Sequence, residues 1–139
     1  MRMPEPDSTA IAAKPRLAAE LRRLVDPAAV IAEPDALRPY ESDGLTAYRQ
    51  APLIAVLPST TAEVAAVLKF CAANNVKVVP RGAGTSLSGG ALPLADGVLL
   101  GLGKFNKILA VDVANRCVVA QPGVTNLGIT AAVQHLGYY

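Results

Sequence analysis

The sequence has few of the residues on which metal, disulfide or nucleic-acid sites are usually built. Its 139 residues include two cysteines, one histidine and no tryptophan. Two cysteines are too few for a disulfide scaffold, and together with a single histidine they argue against a structural zinc site, so we predict no metal site. The formal net charge is +2 and no basic run is longer than Arg22-Arg23, which argues against a nucleic-acid partner.

Targeting and membrane segments are also missing from the sequence. Residues 1–14 contain Glu5 and Asp7, and no apolar stretch follows them, so a signal peptide is not predicted. No apolar run approaches the roughly 18 residues of a membrane helix. The hydrophobic fraction of 52% and the charged fraction of 17% exclude a disordered chain. We therefore predict one soluble, cytoplasmic α/β-type domain, and its mean hydropathy of +0.35 indicates apolar surface meant for something outside the chain.

The first 52 residues predict an N-terminal helix and an irregular arm. Apolar residues at helical spacing predict a short amphipathic helix over 16–25, after a frayed start over 1–15. Residues 26–52 contain four prolines and predict a long loop with one helical turn over 36–40. A loop of this length is usually functional or packed on a neighbour.

The next segment predicts a βαβ unit. The apolar run 53–57 is typical of a strand that is buried on both faces. Thr60 and Glu63 form a capping box that opens a helix, and Asn74-Asn75 supplies its left-handed stop. A second strand is expected over 76–79, and the connection through a helix predicts that it runs parallel to the first.

The remainder of the chain predicts a smaller mixed sheet. A short strand is expected over 98–100, a β-hairpin over 108–113 and 117–121, and a last helix capped by Thr125. The fold class is therefore α+β (α/β), with a βαβ unit followed by a small mixed sheet, a β-hairpin and a terminal helix.

A loop of small residues follows the second strand of the βαβ unit. Residues 81–90 contain four glycines and three hydroxyl side chains, and open α/β sheets bind ligands at the carboxyl ends of their strands. Backbone N–H groups there can converge on a phosphate, and Thr85, Ser86 and Ser88 can add hydroxyl donors. Arg81 would either neutralise charge or hold the loop.

Two common phosphate-binding motifs do not fit this loop. A dinucleotide fingerprint would need glycine where Leu87 stands, and a P-loop would need Lys and Ser/Thr where Gly90-Ala91 stand. From the residues alone, a Gly/Ser surface loop without a ligand stays open.

Three tracts together resemble one enzyme family. Residues 56–64, 80–90 and 119–125, in this order and at this spacing, are similar to FAD-linked oxidases of the vanillyl-alcohol oxidase and p-cresol methylhydroxylase (PCMH) type, and in particular to glycolate oxidase D subunits and D-lactate dehydrogenase relatives. The resemblance covers nearly the whole chain. It implies that 53–139 is the first lobe of a PCMH-type FAD-binding domain, that a second FAD segment and the substrate residues lie downstream of Tyr139, and that the chain is a fragment, inactive by itself.

The resemblance also implies a set of cofactor-binding residues and no catalytic ones. Because no histidine lies in the loop, non-covalent FAD is expected. Ser86 departs from a position where the family often has glycine, and its Cβ would crowd the flavin. The implied FAD-binding residues are Pro80, Arg81, Gly82, Ala83, Gly84, Thr85, Ser86, Ser88, Gly89, Pro122, Gly123 and Val124.

Two functions remain in competition. The resemblance implies the FAD-binding portion of a flavin-dependent 2-hydroxy-acid oxidoreductase, in which a complete enzyme passes a hydride from a hydroxy acid such as glycolate or D-lactate to the flavin. The alternative is a non-catalytic fragment that binds no cofactor and associates with itself or with other oxidase subunits through a sheet edge and apolar face. His135 is interpreted as a helix-end residue, and Cys71 and Cys117 as small buried hydrophobes rather than nucleophiles.

Overall fold

The structure, a computed structural model, describes residues 3–139 and consists of a four-stranded sheet flanked by helices, followed by a separate hairpin and a last helix. The helices are α1 (Ser8–Ala12), α2 (Lys14–Leu24), α3 (Pro34–Leu37), α4 (Thr61–Ala73) and α5 (Asn126–Val133), with short 3₁₀ turns at Pro27–Ala29, Arg38–Tyr40 and Gln134–Leu136. The strands are β1 (Val30–Ile31), β2 (Ile54–Val56), β3 (Lys77–Arg81), β4 (Gly97–Gly101), β5 (Ile108–Asp112) and β6 (Cys117–Ala120).

The four-stranded sheet has the order β1-β2-β4-β3. β2 and β3 both run parallel to β4, and β1 pairs antiparallel with β2. The predicted parallel relation of the two βαβ strands is therefore confirmed, although β4 lies between them. Every residue of β4 is buried, as expected for a central parallel strand covered on both faces.

Apolar side chains cover both faces of this sheet. Val98 and Leu100 of β4 belong to a large cluster with α2 and α4, whereas Leu99 packs on the other face against Leu37 of α3. The large cluster joins residues on both sides of position 52, because α2 and β1 pack into it together with β2 and α4. Its buried members are Leu17, Ala18, Leu21, Val25, Ala29, Val30, Leu53, Ile54, Val56, Val67, Cys71, Val76, Val98 and Leu100.

The predicted ends of α4 are confirmed. The hydroxyl oxygen of Thr60 accepts a hydrogen bond from Glu63 N at 3.2 Å, and the Glu63 carboxylate accepts one from Thr60 N at 3.2 Å. This reciprocal pair satisfies N–H groups that the helix itself leaves free. Asn75 has a φ of 53° and ends the helix in the left-handed region. Val67 of this helix is buried against the sheet, whereas its neighbour Leu68 is 43% exposed.

The N-terminal region is more ordered than the sequence predicted. The frayed start expected over 1–15 is wrong from residue 8 onwards, because 8–12 form α1, whose first turn is capped by Asp7 Oδ1 accepting from Thr9 N at 2.8 Å. Residues 1–2 of this prediction lie outside the described residues. Asp7 N in turn donates to Asp96 Oδ2 at 2.8 Å. Composition could not reveal this contact, because its two residues are 89 positions apart.

Asp96 is a buried acid that joins distant parts of the chain. Besides Asp7 N, its Oδ2 binds Lys77 Nζ at 2.6 Å, and the Asp96 side chain is 2% exposed. Burial desolvates the carboxylate and raises its pKa, but the hydrogen bond from Lys77, the hydrogen bond from Asp7 N and the Lys77 charge outweigh this effect. The pKa of Asp96 therefore lies below its ordinary value of 3.8.

We predict that Asp96 makes the fold acid-sensitive. A carboxyl whose pKa is lower in the folded than in the unfolded state stabilises the fold above the unfolded pKa, and this contribution disappears as the pH falls through the folded pKa. The free energy of unfolding in urea should fall below about pH 4 more steeply for the wild type than for Asp96→Asn. Asp35→Asn, at an exposed acid of α3, is the control and should keep the wild-type slope. Equal slopes for wild type and Asp96→Asn would contradict the prediction.

The hairpin and the last helix are confirmed. β5 and β6 pair antiparallel and form a sheet of their own. The hydroxyl oxygen of Thr125 accepts from Gly128 N at 3.1 Å and caps α5. This region leaves several large apolar side chains exposed, among them Leu109, Val119, Leu127 and Tyr139. In the part of the chain that the structure describes, no helix is long and apolar enough to cross a membrane.

Candidate functional site

The carboxyl ends of the three parallel strands open onto one cavity of about 250 Å³. Leu57 follows β2, Arg81 ends β3 and Gly101 ends β4, so each strand contributes to the wall. This is the position at which open α/β sheets bind ligands. The lining residues are Tyr40, Leu57, Arg81, Gly82, Leu99, Gly101, Gly103 and Lys104.

The cavity wall has the character of an anion site. Its charged lining residues, Arg81 and Lys104, are both basic. Three glycines leave backbone rather than side chains at the wall. A Cβ built on Gly103 would have no atom within 4 Å, and one built on Gly82 would meet only Pro122 O at 3.8 Å. Side chains at these positions would therefore fill free space, which a ligand can use to approach the backbone closely.

The predicted loop 81–90 presents a row of backbone donors. No N–H group from Gly82 to Ser86 donates a hydrogen bond to another described residue. Gly84 and Gly89 have φ values of 75° and 77°, which favour glycine. Consecutive free N–H groups next to left-handed residues are typical of an anion-binding nest.

The hydroxyl of Ser86 stabilises the loop from within. Its Oγ accepts from Gly90 N at 3.2 Å and from Ser88 N at 3.4 Å. These contacts turn the Ser86 side chain onto the loop's own backbone, and the expected crowding of the flavin by its Cβ stays a prediction. Thr85 and Ser88 are exposed, and their hydroxyls have no partner among residues 3–139.

Arg81 lies beneath the loop as well as in the cavity wall. Its Nη1 donates to Tyr40 O at 3.1 Å. A Cβ on Gly84 would overlap the Arg81 guanidinium, and its φ of 75° already favours glycine at this position. Of the two roles left open by the sequence, the geometry gives Arg81 the holding role, while its charge also faces the cavity.

The second predicted segment meets the first at the cavity. Pro122 O is the atom nearest to a Cβ built on Gly82, at 3.8 Å, although the two residues are far apart in sequence. Gly123 N donates to Phe105 O at 2.7 Å, and a Cβ on Gly123 would lie 2.8–3.0 Å from the carbonyl oxygens of Leu102, Gly103 and Phe105. Glycine is therefore required at 123 for the segment to pass this close.

The structure brings some of the predicted residues to the cavity and adds others. Of the predicted set, Arg81 and Gly82 line it and Pro122 adjoins it, whereas Pro80, Ala83, Gly84, Thr85, Ser86, Ser88, Gly89, Gly123 and Val124 do not line it. The sequence analysis missed the other lining residues, which are Tyr40, Leu57, Leu99, Gly101, Gly103 and Lys104. The signal for three of these was available, because Gly101, Gly103 and Lys104 follow a buried apolar strand just as the predicted loop does.

Neither cysteine belongs to this site. Cys71 is buried as predicted, and burial raises its pKa to about 11. The prediction that Cys117 is buried is wrong, because β6 lies in the separate hairpin outside the core. His135 is exposed in the turn that follows α5. Within residues 3–139, no group of three or more His, Cys, Asp or Glu side chains is placed to hold a metal ion.

Comparison with known sequences gives the site a context. Residues 52–139 match a family described as an FAD binding domain. Glycolate oxidase subunit GlcD of Escherichia coli is 53% identical over 102 residues, which cover 73% of this chain and 20% of the relative. A D-2-hydroxyglutarate dehydrogenase of Stutzerimonas stutzeri is 31% identical over 125 residues, which cover 90% of this chain and 27% of the relative. The chain thus spans only 20–27% of the length of these relatives.

Solved structures share the fold. A p-cresol methylhydroxylase aligns with 97% of this chain and 27% of its own, with a TM-score of 0.71 and 22% identity. A 4-ethylphenol oxidase from Gulosibacter chungangensis aligns with 98% of this chain and 27% of its own, with a TM-score of 0.80 and 20% identity. The predicted fold class, a mixed α+β arrangement of the PCMH type, is confirmed.

Proposed function

The chain belongs to the FAD-binding domain family, with FAD as its cofactor, and from this premise we propose that the cavity and the 81–90 loop hold the FAD pyrophosphate. The observation that carries the proposal is the row of free N–H groups from Gly82 to Ser86 beside a cavity whose charged residues are basic. A pyrophosphate is an anion that backbone N–H groups bind well.

The residues of the site fit this group. Gly82 and Gly103 leave open space at the cavity wall, so phosphate oxygens can approach the main chain there. Arg81 and Lys104 supply positive charge at the same wall. The exposed hydroxyls of Thr85 and Ser88 add donors at the loop surface. Pro122, Gly123 and Val124 form the neighbouring segment, along which we place another part of the cofactor.

The chemistry follows from the cofactor and the positioning from the chain. FAD supplies, when bound, a flavin ring that accepts a hydride from the substrate. The role of this chain's residues is to anchor the cofactor: the loop N–H groups bind the anion, Arg81 keeps the loop in place, and the four-stranded sheet holds the end of β3 from which the loop leaves. No acid or base for the reaction is assigned among residues 3–139.

We propose further that this chain is the FAD-binding portion of a 2-hydroxy-acid oxidoreductase similar to glycolate oxidase subunits. The support is the 53% identity to a glycolate oxidase subunit and the 31% identity to a D-2-hydroxyglutarate dehydrogenase. In both names the substrate class is a 2-hydroxy acid. Because the chain spans 20–27% of these relatives, the substrate and the activity are proposals for the protein in which this segment works, and residues 53–139 are proposed as the first lobe of its FAD site.

Titration with FAD tests the proposal. The purified chain should quench flavin fluorescence in a saturable way and melt at a higher temperature when FAD is present, because a ligand that binds only the folded state stabilises it. Riboflavin is the matched control ligand: it carries the flavin ring without the pyrophosphate and should neither be quenched at the same concentrations nor compete with FAD.

The same samples address the alternative function. The exposed apolar side chains of the hairpin and α5 favour a fragment that associates without a cofactor. That function predicts that the chain does not quench the fluorescence of FAD. It also predicts a mass above that of one chain in size-exclusion chromatography with light scattering. Absence of both FAD effects would refute cofactor binding by this chain.

A further inference from the structure

We propose that the segment Tyr40–Leu45, here named the clasp, holds the cofactor loop in its binding shape, so that FAD affinity depends on residues outside the family match at 52–139. This inference rests on the proposed function of the loop. It concerns positioning: none of the clasp residues 41–45 lines the cavity.

The clasp contacts the loop at two places. At one end Tyr40 O accepts from Arg81 Nη1 at 3.1 Å, where the loop leaves β3. At the other end Leu45 N donates to Ser86 O at 3.1 Å, in the middle of the loop. The free N–H groups of Gly82 to Ser86 lie between these two anchors. The clasp therefore spans the stretch that would bind the anion.

Gly44 sets how closely the clasp approaches the loop. A Cβ at this position would lie 2.8 Å from Thr85 O and 2.9 Å from Ser86 O. Both atoms belong to the backbone, so no side-chain rotation can relieve the overlap. Any residue other than glycine must push the clasp and the loop apart.

The clasp itself is held in place. Asp43 is 5% exposed, and its Oδ1 accepts from Leu45 N at 3.0 Å. Its Oδ2 is buried and accepts no hydrogen bond from a described residue. A buried acceptor without a partner destabilises the fold, so the other contacts of this turn must outweigh that effect. Gln50 N, from the residues that follow the clasp, donates to Glu41 O at 2.7 Å and ties the clasp to them.

An ordered support matters because the loop is rich in glycine. Fixing one residue's backbone costs roughly 1–2 kcal/mol of conformational entropy, and glycine loses the most. A loop that is held before FAD arrives does not incur this cost on binding, so affinity is higher. Loosening the clasp should therefore weaken FAD binding even though no contact to FAD is removed.

Gly44→Ala is the test variant and Thr46→Ala, at an exposed position two residues further on, is its matched control. We expect FAD to bind Gly44→Ala roughly tenfold more weakly, and Thr46→Ala as tightly as the wild type. A second readout needs no cofactor: amide hydrogen exchange of residues 82–90 in the apo chain should be faster in Gly44→Ala than in the wild type or Thr46→Ala.

The outcomes separate the two proposals. If the wild type takes up no FAD, the proposed function fails, and the exchange rates of the apo chain alone decide about the clasp. If the wild type binds FAD, and Gly44→Ala has the same FAD affinity and the same amide exchange rates, the clasp proposal is wrong. Should Gly44→Ala fail to fold, Asp43→Ala decides in its place, because it removes one of the two acceptors of Leu45 N, the group that also binds Ser86 O, without adding an atom near the loop. Affinity and exchange equal to wild type would then overturn the clasp proposal.

Discussion

Gly82→Asp should weaken FAD binding by roughly hundredfold. The position has room for the new side chain, because the nearest atom to a Cβ at 82 is Pro122 O at 3.8 Å. The carboxylate would then stand in the cavity wall where we place the pyrophosphate. Two like charges about 4 Å apart repel each other by about 4 kcal/mol at the effective dielectric constant of a protein surface, more than enough for this loss even when salt screens part of it.

Two controls separate charge at the site from other effects. Gly82→Ala adds the Cβ without the charge and should bind FAD far better than Gly82→Asp. Ala65→Asp adds the same charge on an exposed position of α4 and should bind like the wild type. Isothermal titration with FAD at two salt concentrations provides the measurement. Equal FAD affinities of Gly82→Asp and Ala65→Asp would mean that the pyrophosphate does not bind in this cavity.

Leu21→Ala should lower the free energy of unfolding by about 2–5 kcal/mol, the range seen when a buried leucine is truncated. Leu21 lies on α2 with 0% exposure, in the same cluster as Ile54 of β2 and Val67 of α4. The truncation leaves a cavity between the N-terminal helix and the sheet. A single urea transition at lower denaturant concentration is therefore expected for the whole chain.

Leu68→Ala is the control for the leucine truncation. Leu68 is 43% exposed on α4, so its loss should cost less than about 1 kcal/mol. Two separate transitions, or a Leu21→Ala effect as small as that of Leu68→Ala, would mean that the N-terminal helix folds apart from the sheet. A single shifted transition would mean that the regions before and after position 52 share one core.

Local patterns sufficed wherever a few neighbouring residues determine the structure. The apolar run at 53–57, the pair Thr60 and Glu63, and the cap at Thr125 each produced the predicted element. The physical reason is that burial on both faces, side-chain capping and left-handed stops all act over a few residues. The position of β4 between β2 and β3 depends on pairing between strands that are far apart in the sequence. The spacing of apolar residues predicts a strand but not its neighbours in the sheet.

In the candidate site, too, local features could be predicted from the sequence and long-range contacts could not. The composition of 81–90 was enough to single out the loop, because glycines and hydroxyls after a parallel strand are a local signal. The approach of Pro122 to Gly82 and of Gly44 to Thr85 is set by tertiary packing. Gly44 in particular stands in a stretch that reads as an irregular arm, and only the carbonyl oxygens it faces reveal why a side chain does not fit there.

The strand order also dictates when the protein can fold during synthesis. β2 and β3 are both made before β4, yet they do not pair with each other; β4 is the parallel partner of both. A growing chain that has just completed the 81–90 loop therefore carries β3 without a strand partner and β2 with one open edge, because β1 pairs only with its other edge. Until residue 101 has left the ribosome, these open strand edges are available to other chains, so we expect the nascent chain to be most prone to aggregation at this stage.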